Sequence, residues 1–340
     1  MRPEGFQILA KPYSSGLVLH CAKPLFFAPD FAITWQRSIA DVVHRPRSTK
    51  AGARKYGSIS VIRLDYRAPP VDLRPYISVY YLFETDEPEF ADIERADVAQ
   101  VRAFLSGKGE VIFPDAKRWA SYPVTLFGPR STASTVTVRG PARVFGVGIL
   151  PAGWSAFTGL AASDRVNTLS DATDLLGPGT QAVLAGLAQL ANIDAMAEMM
   201  TAIARQYKDR AQSVPHWFIR AVDSWLEERL SPDIVDLEAA TGLSRRQIER
   251  MTKEIYGVAP KLLQRKYRAL RTANRIANEQ GDWQDFIDGA YYDQSHCIRE
   301  IKHFVGITPG AIREHSSRLS TLTFGRSQLA GEVAPLSAQT

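Results

Sequence analysis

Apolar positions along this chain change their period about half-way. From Tyr76 to about Leu150 they come in short dense runs: Tyr76 to Phe83, Val111 to Phe113 before Pro114, and Pro123 to Phe127 before Gly128-Pro129. Ser134 to Arg139 follows, ending at Gly140-Pro141, and then Arg143 to Leu150. β-branched and aromatic runs parted by Gly and Pro predict a small antiparallel sandwich or barrel. Residues 1–70 are irregular, with strand-like runs at Leu17 to His20 and Ser58 to Leu64. After Leu150 the spacing becomes helical. Leu184, Leu187, Leu190, Met196, Met199, Met200 and Ile203 form a stripe over residues 180–207, suited either to a core or to a dimer contact. The aromatics Tyr80, Tyr81, Phe83, Phe113, Trp119, Phe127 and Trp154 are candidates for core, which is the commoner fate, or for the lining of a ligand pocket.

Beyond a polar break near Asp209 to Pro215 the pattern is helical throughout, and it repeats once. Residues 236–260 read DLEAATGLSRRQIERMTKEIYGVAP, and 285–309 read DFIDGAYYDQSHCIREIKHFVGITP. In register, Leu243 pairs with Tyr292, Ile248 with Cys297, Arg250 with Arg299, Lys253 with Lys302, Gly257 with Gly306 and Pro260 with Pro309. Each copy predicts a short helix, a tight turn and a longer helix stopped by Gly, the layout of a helix-turn-helix. The expected helices are 215–229, 235–241 and one begun by the N-cap Ser244, then a rod over 261–279, then about 283–290 and 294–304 with Asp293 as N-cap. On the rod, Leu263, Tyr267, Leu270 and Ile276 face inward and Lys266, Arg268 and Arg271 lie on the other faces. Its length of roughly 28 Å, at about 1.5 Å per residue, can hold two helices about one DNA turn apart.

Charge sharpens this picture. Ten Lys and Arg between Arg245 and Arg275 face two Glu, a net of +8, whereas the other 31 basic and 34 acidic residues leave −3. A basic segment beside a helix-turn-helix is an electrostatic footprint for a polyanion. A second basic stretch, Arg45 to Lys55, reads as a solvated loop or a phosphate-binding element. The two cysteines, Cys21 and Cys297, form neither a disulfide framework nor a zinc spacing, which points to a reducing cytoplasm. The start lacks the apolar core of a signal peptide, and no run reaches membrane-spanning length. His20, His44, His216, His296, His303 and His315 show no metal spacing, and neither a Walker loop nor a nucleophile elbow is present. No cofactor, metal or catalytic residue is expected.

Residues 215–315 resemble the AraC/XylS family of bacterial transcription regulators, on the segments GLSRRQIERMTKEIYGVAP and DQSHCIREIKHFVGITPGAIR. The resemblance implies base contacts from Arg246, Glu249 and Arg250 in the first recognition helix and from Gln294, Ser295 and Arg299 in the second. Arg245, Lys253 and Lys302 complete the expected DNA-binding set. The sequence departs from the family at Tyr291, where its turn usually has Gly, and at Cys297, where a large apolar residue is usual. Pro114-Asp115, Leu126 to Pro129 and Gly148 to Gly153 resemble, less sharply, a sensing or dimerisation domain of one subgroup.

The expectation is a two-domain transcription regulator, activator or repressor, nucleoid-associated in the cytoplasm. An α+β effector and dimerisation half covers roughly 1–210, an all-α DNA-reading half 215–316, and a fraying tail 319–340. Its partners would be promoter DNA, a small effector, RNA polymerase and a second copy. The rivals are a ligand-independent architectural DNA binder and a repair enzyme fused to a DNA-binding domain; Cys21 alone cannot supply the zinc thiolates and nucleophile of the latter.

Overall fold

The computed structural model describes residues 62–177, 179–210, 214–287, 289–314 and 318–338. The expected Leu17 to His20 strand, the Arg45 to Lys55 stretch and Cys21 lie outside these residues. Among the described residues, the first half is an antiparallel sheet of eight strands: β1 (Ile62–Arg67), β2 (Ile77–Thr85), β3 (Glu89–Glu94), β4 (Ala99–Ile112), β5 (Arg118–Ala120), β6 (Val124–Phe127), β7 (Ser134–Ile149) and β8 (Leu169–Asp171). The order is β1-β2-β7-β4-β6-β8, with β3 on β7 and β5 on β4.

Gly140-Pro141 does not end a strand, as the sequence suggests, but lies inside the 16-residue β7. There β7 changes neighbour: residues 134–139 pair with β3 and residues 142–149 with β2. Opposite the break, Gly107 of β4 has φ +78°, and a Cβ there would meet Ala142 Cβ at 2.6 Å. A proline without an N–H and a glycine at positive φ let both long strands bend at one point. Phe83 and Val144 from one side of the bend then share a cluster with Phe90 from the other, so the sheet curls over on itself.

Four helices cover the outer face: α1 (Pro151–Thr158), α2 (Ala172–Leu176), α3 (Gly179–Ala188) and α4 (Ile193–Arg210). Leu187, Leu190, Met196, Met199 and Ile203 bury against Tyr80, Leu82, Phe145 and Trp154, with Leu184 and Met200 half-buried beside them. The helical stripe is therefore core. Tyr80, Phe113, Phe127 and Trp154 are core too, while Tyr81 and Phe83 border a cavity.

The helical half contains α5 (His216–Glu228), α6 (Ile234–Thr241), α7 (Arg245–Tyr256), α8 (Pro260–Asn278) and α9 (Gln294–Val305). Leu263, Tyr267, Leu270 and Ile276 of the α8 rod are buried as expected. Lys266 and Arg268 depart from expectation, because they are buried as well. Lys266 Nζ donates to Asp97 O at 2.7 Å, Arg268 lies against Glu300, and half-buried Arg271 donates to Leu226 O at 2.7 Å. The rod's cations thus serve as internal ties. The first helix of the second repeat is also shorter than expected, a single 3-10 turn over Trp283–Phe286.

As far as Ala338 the tail is helical and packed rather than frayed. After α10 (Ala311–Glu314) come α11 (Arg318–Phe324), a 3-10 turn at Gly325–Leu329 and α12 (Pro335–Ala338). Phe324 packs into the rod's core, Leu336 against α5, and Val333 against Tyr81. The tail's Ser and Thr content hid these anchors.

Candidate nucleic-acid interface

Two helix-turn-helix units present the expected residues. In the first, α6 is capped by Asp233, whose side chain accepts from Val235 N, and ends at Gly242 with φ +67°. Ser244 and Gln247 then form a reciprocal capping box that starts α7. Ile248 and Ile255 bury inward, which turns Arg245, Arg246, Glu249, Arg250 and Lys253 to solvent. In the second unit Asp293 accepts from His296 N to start α9. Cys297, Ile301 and Phe304 bury, and Gln294, Ser295, Arg299 and Lys302 are exposed, with Ile298 half-buried. The nine residues of the expected DNA-binding set are on the surface, whereas Ile298, also expected to face DNA, is only half-exposed.

Their charges are not equally free. Arg245 pairs with Glu238 at 3.1 Å, Lys253 with Glu249 at 2.7 Å and Arg250 with Glu254 at 3.6 Å. The Lys253 ammonium holds the Glu249 carboxyl below the usual range. Arg246, Lys261, Arg299 and Lys302 have no carboxylate partner among the described residues. Most of the basic run beyond Lys261 is spent internally or, like Arg275 with Glu279, paired.

Both departures from the family pattern are filled. The Tyr291 hydroxyl donates to Thr272 at 3.1 Å, and the Arg268 guanidinium lies 4.8 Å from its ring centre. Burial pushes the Cys297 thiol up to about 12, so it acts as small apolar filler. Two features escaped the sequence reading. Tyr292 is 94% exposed directly before the N-cap of α9; its register partner Leu243, an apolar residue at the same place, was the available signal.

The second is docking of both α7 and α9 on the sheet half. Gly257, φ +87°, closes α7 where an added Cβ would meet Val166 at 2.7 Å; Gly306, φ +90°, closes α9 where one would meet Ile93 at 2.2 Å. The last carbonyls of α9, unsatisfied within the helix, accept from the sheet half: His303 O from Ala133 N at 2.9 Å and Phe304 O from Ala96 N at 2.7 Å. The C-terminal ends of the two helices are held while their N-terminal turns face out.

Residues 66–171 match the family model described as a domain of unknown function, DUF6597. That span contains all three sheet-half motifs singled out in the sequence. No curated protein matches the chain. Among solved structures, an apo form of a ToxT variant from Vibrio cholerae is 8% identical, with TM-score 0.41 over 67% of this chain and 97% of that one. Another ToxT structure from Vibrio cholerae is 10% identical, with TM-score 0.38 over 66% and 97%. The AraC-like transcriptional activator CuxR is 12% identical, with TM-score 0.26 over 60% and 84%. Likeness at these scores leaves function to be read from the chain's own residues. No helix among the described residues is long and apolar enough to cross a membrane.

Proposed function

We propose that this chain is an effector-responsive transcription regulator of the AraC type, which binds double-stranded DNA through two recognition helices in neighbouring major grooves. One observation carries the reading: two helix-turn-helix units, joined by one 19-residue rod, expose Arg245, Arg246 and Arg250 on α7 and Gln294, Ser295 and Arg299 on α9 while the C-terminal ends of both helices are docked. Arg246, Glu249 and Arg250 read base edges from α7, and Gln294, Ser295 and Arg299 from α9, since a guanidinium matches guanine O6 and N7 with two donors. Arg245, Lys253 and Lys302 meet phosphates. The sheet half, roughly 1–210, senses the effector and supports dimerisation, and residues 215–316 read DNA. Contact with RNA polymerase belongs to the same reading.

Selection of bound duplexes from a random pool by the full chain tests it. The expected result is an enriched site with two conserved blocks about one turn apart. Log affinity should fall against log salt by about 0.9 per phosphate contact. An unenriched pool with a flat salt plot would overturn the assignment.

A further inference from the structure

Between the sheet and the ordered tail lies a cavity of about 70 Å³. One water needs about 10–15 Å³ on this scale, so the space takes several waters or one small organic group. Phe83, Phe90, Val138 and Val144 wall one side; Arg95, Arg102 and Arg326 line the other. Leu319 and Thr323 of α11 and Arg326 of the following turn form the roof.

Among the described residues the polar end is unbalanced without counting Arg95. Buried Arg326 and nearly buried Arg102 line it, and buried Arg130 and Lys266, which do not line it, touch the same two acidic residues, Glu94 and Asp97. Each carboxylate is already shared. Glu94 pairs with Arg102 and lies 2.5 Å from Arg130, and Asp97 takes both Nη1 and Nη2 of Arg326 at 3.2 and 2.9 Å. Lys266 has the neutral Asp97 carbonyl. Arg326 Nε and all three guanidinium nitrogens of Arg130 are buried without a hydrogen-bond acceptor among the described residues; the close Arg130–Glu94 contact is not aligned as a hydrogen bond. Buried cations are costly unless paired, and buried donors unless bonded. Burial, and then repulsion from Arg326, lowers Arg95 to about 10, the direction expected for a crowded positive site.

We propose that the cavity binds an organic carboxylate, which brings its negative charge to the cluster beside Arg326 and lays a compact apolar body on Phe83, Phe90 and Val144. This rests on the effector-responsive reading and names the chemistry of the effector. It also gives the signal a route. Arg326 belongs to the tail, its partner Asp97 to the sheet, and the Asp97 carbonyl holds Lys266 of the rod. A carboxylate drawing on Arg326 competes with Asp97 at the point where sheet, tail and rod meet.

Calorimetry and thermal melting of the full chain, without DNA, test this with isovalerate, its neutral counterpart isoamyl alcohol, and inorganic phosphate. Isovalerate should bind and raise the melting temperature, with the alcohol and phosphate each at least tenfold weaker. Arg326→Gln should weaken isovalerate at least tenfold. Val138→Trp fills the cavity from its apolar wall, touches no charged group, and should do the same. Absence of isovalerate binding, equal binding of alcohol or phosphate, or undiminished binding by folded Val138→Trp would each overturn the proposal. These readouts need no DNA, so the site can fail while the regulator reading stands, and the reverse.

Discussion

The two helix-turn-helix units share one sequence pattern but are braced differently. The first has a full eight-residue leading helix, and its buried joint is nearly neutral: the Tyr256 hydroxyl donates to Asp223 at 2.9 Å and to Ile219 O at 3.2 Å. The second has only a four-residue 3-10 turn in that place, and an ion cluster supports it. Glu300, 1% exposed, takes Arg265 at 2.5 Å, Arg268 at 2.5 and 3.0 Å, and His296 at 3.2 Å. The same outward face can thus be presented by an apolar, hydroxyl-bonded scaffold or by a buried charge network. In the network, loss of one member strands the others.

The largest expected effect tests that contrast directly. Glu300→Ala leaves Arg268 buried with only Ser231 Oγ and Ala290 O as neutral acceptors. Breaking such a pair from one side costs about 3–5 kcal/mol. Urea denaturation of the variant should show this loss. A cost below about 1 kcal/mol would mean that the second unit does not depend on its charges.

The first unit should respond to pH in a way that removing its carboxylate cancels. Burial, with further repulsion from Glu227, raises the Asp223 carboxyl to about 7 despite the Tyr256 hydrogen bond. A carboxyl raised on folding is protonated more in the native than in the unfolded state between about pH 4 and 7, so stability falls as pH rises through that window. Asp223→Asn keeps an acceptor for Tyr256 and removes the titration. Its advantage over the wild type should be near zero at pH 4 and grow by roughly 1–3 kcal/mol between pH 5 and 8. Melting curves at matched pH check it, and an advantage independent of pH would break this half of the comparison.

How much of this was legible in sequence follows from what fixes each feature. Helices α7 and α9 were readable because Ser244, Asp293, Gly257 and Gly306 act locally, through caps and positive φ. The rod's inward stripe was readable from its period. Lys266 and Arg268 lie on the rod's other faces by period, and their burial is not legible there because their partners, Asp97 and Glu300, are 169 and 32 residues away. Continuity of β7 through Gly140-Pro141 was hidden for a similar reason: it depends on Gly107 of β4, across the sheet. The tail looked like a loose end since its few large residues, Phe324, Val333 and Leu336, are spaced for three different cores.

The smallest expected difference lies at the paired arginines. In the free chain Arg250 contacts Glu254 at 3.6 Å, with 70% of its side chain exposed, whereas Arg299 has no carboxylate partner among the described residues. If both read bases, Arg250→Ala and Arg299→Ala should each cost about 1–3 kcal/mol of binding to the selected site and relax preference in separate blocks. Arg250 must give up an exposed i,i+4 contact worth about 0.2–0.5 kcal/mol before it can bind DNA. Glu254→Ala should therefore tighten binding by about that amount, a factor of roughly 1.4 to 2.3, and remove a like charge from the phosphates as well. Both contributions are screened by salt, but release of Arg250 is lost in the Arg250→Ala background while general repulsion is not. Competition binding of Glu254→Ala in chains with and without Arg250 separates them. Equal tightening by Glu254→Ala in chains with and without Arg250 would show that the pair plays no part, leaving general repulsion from Glu254 as the whole effect.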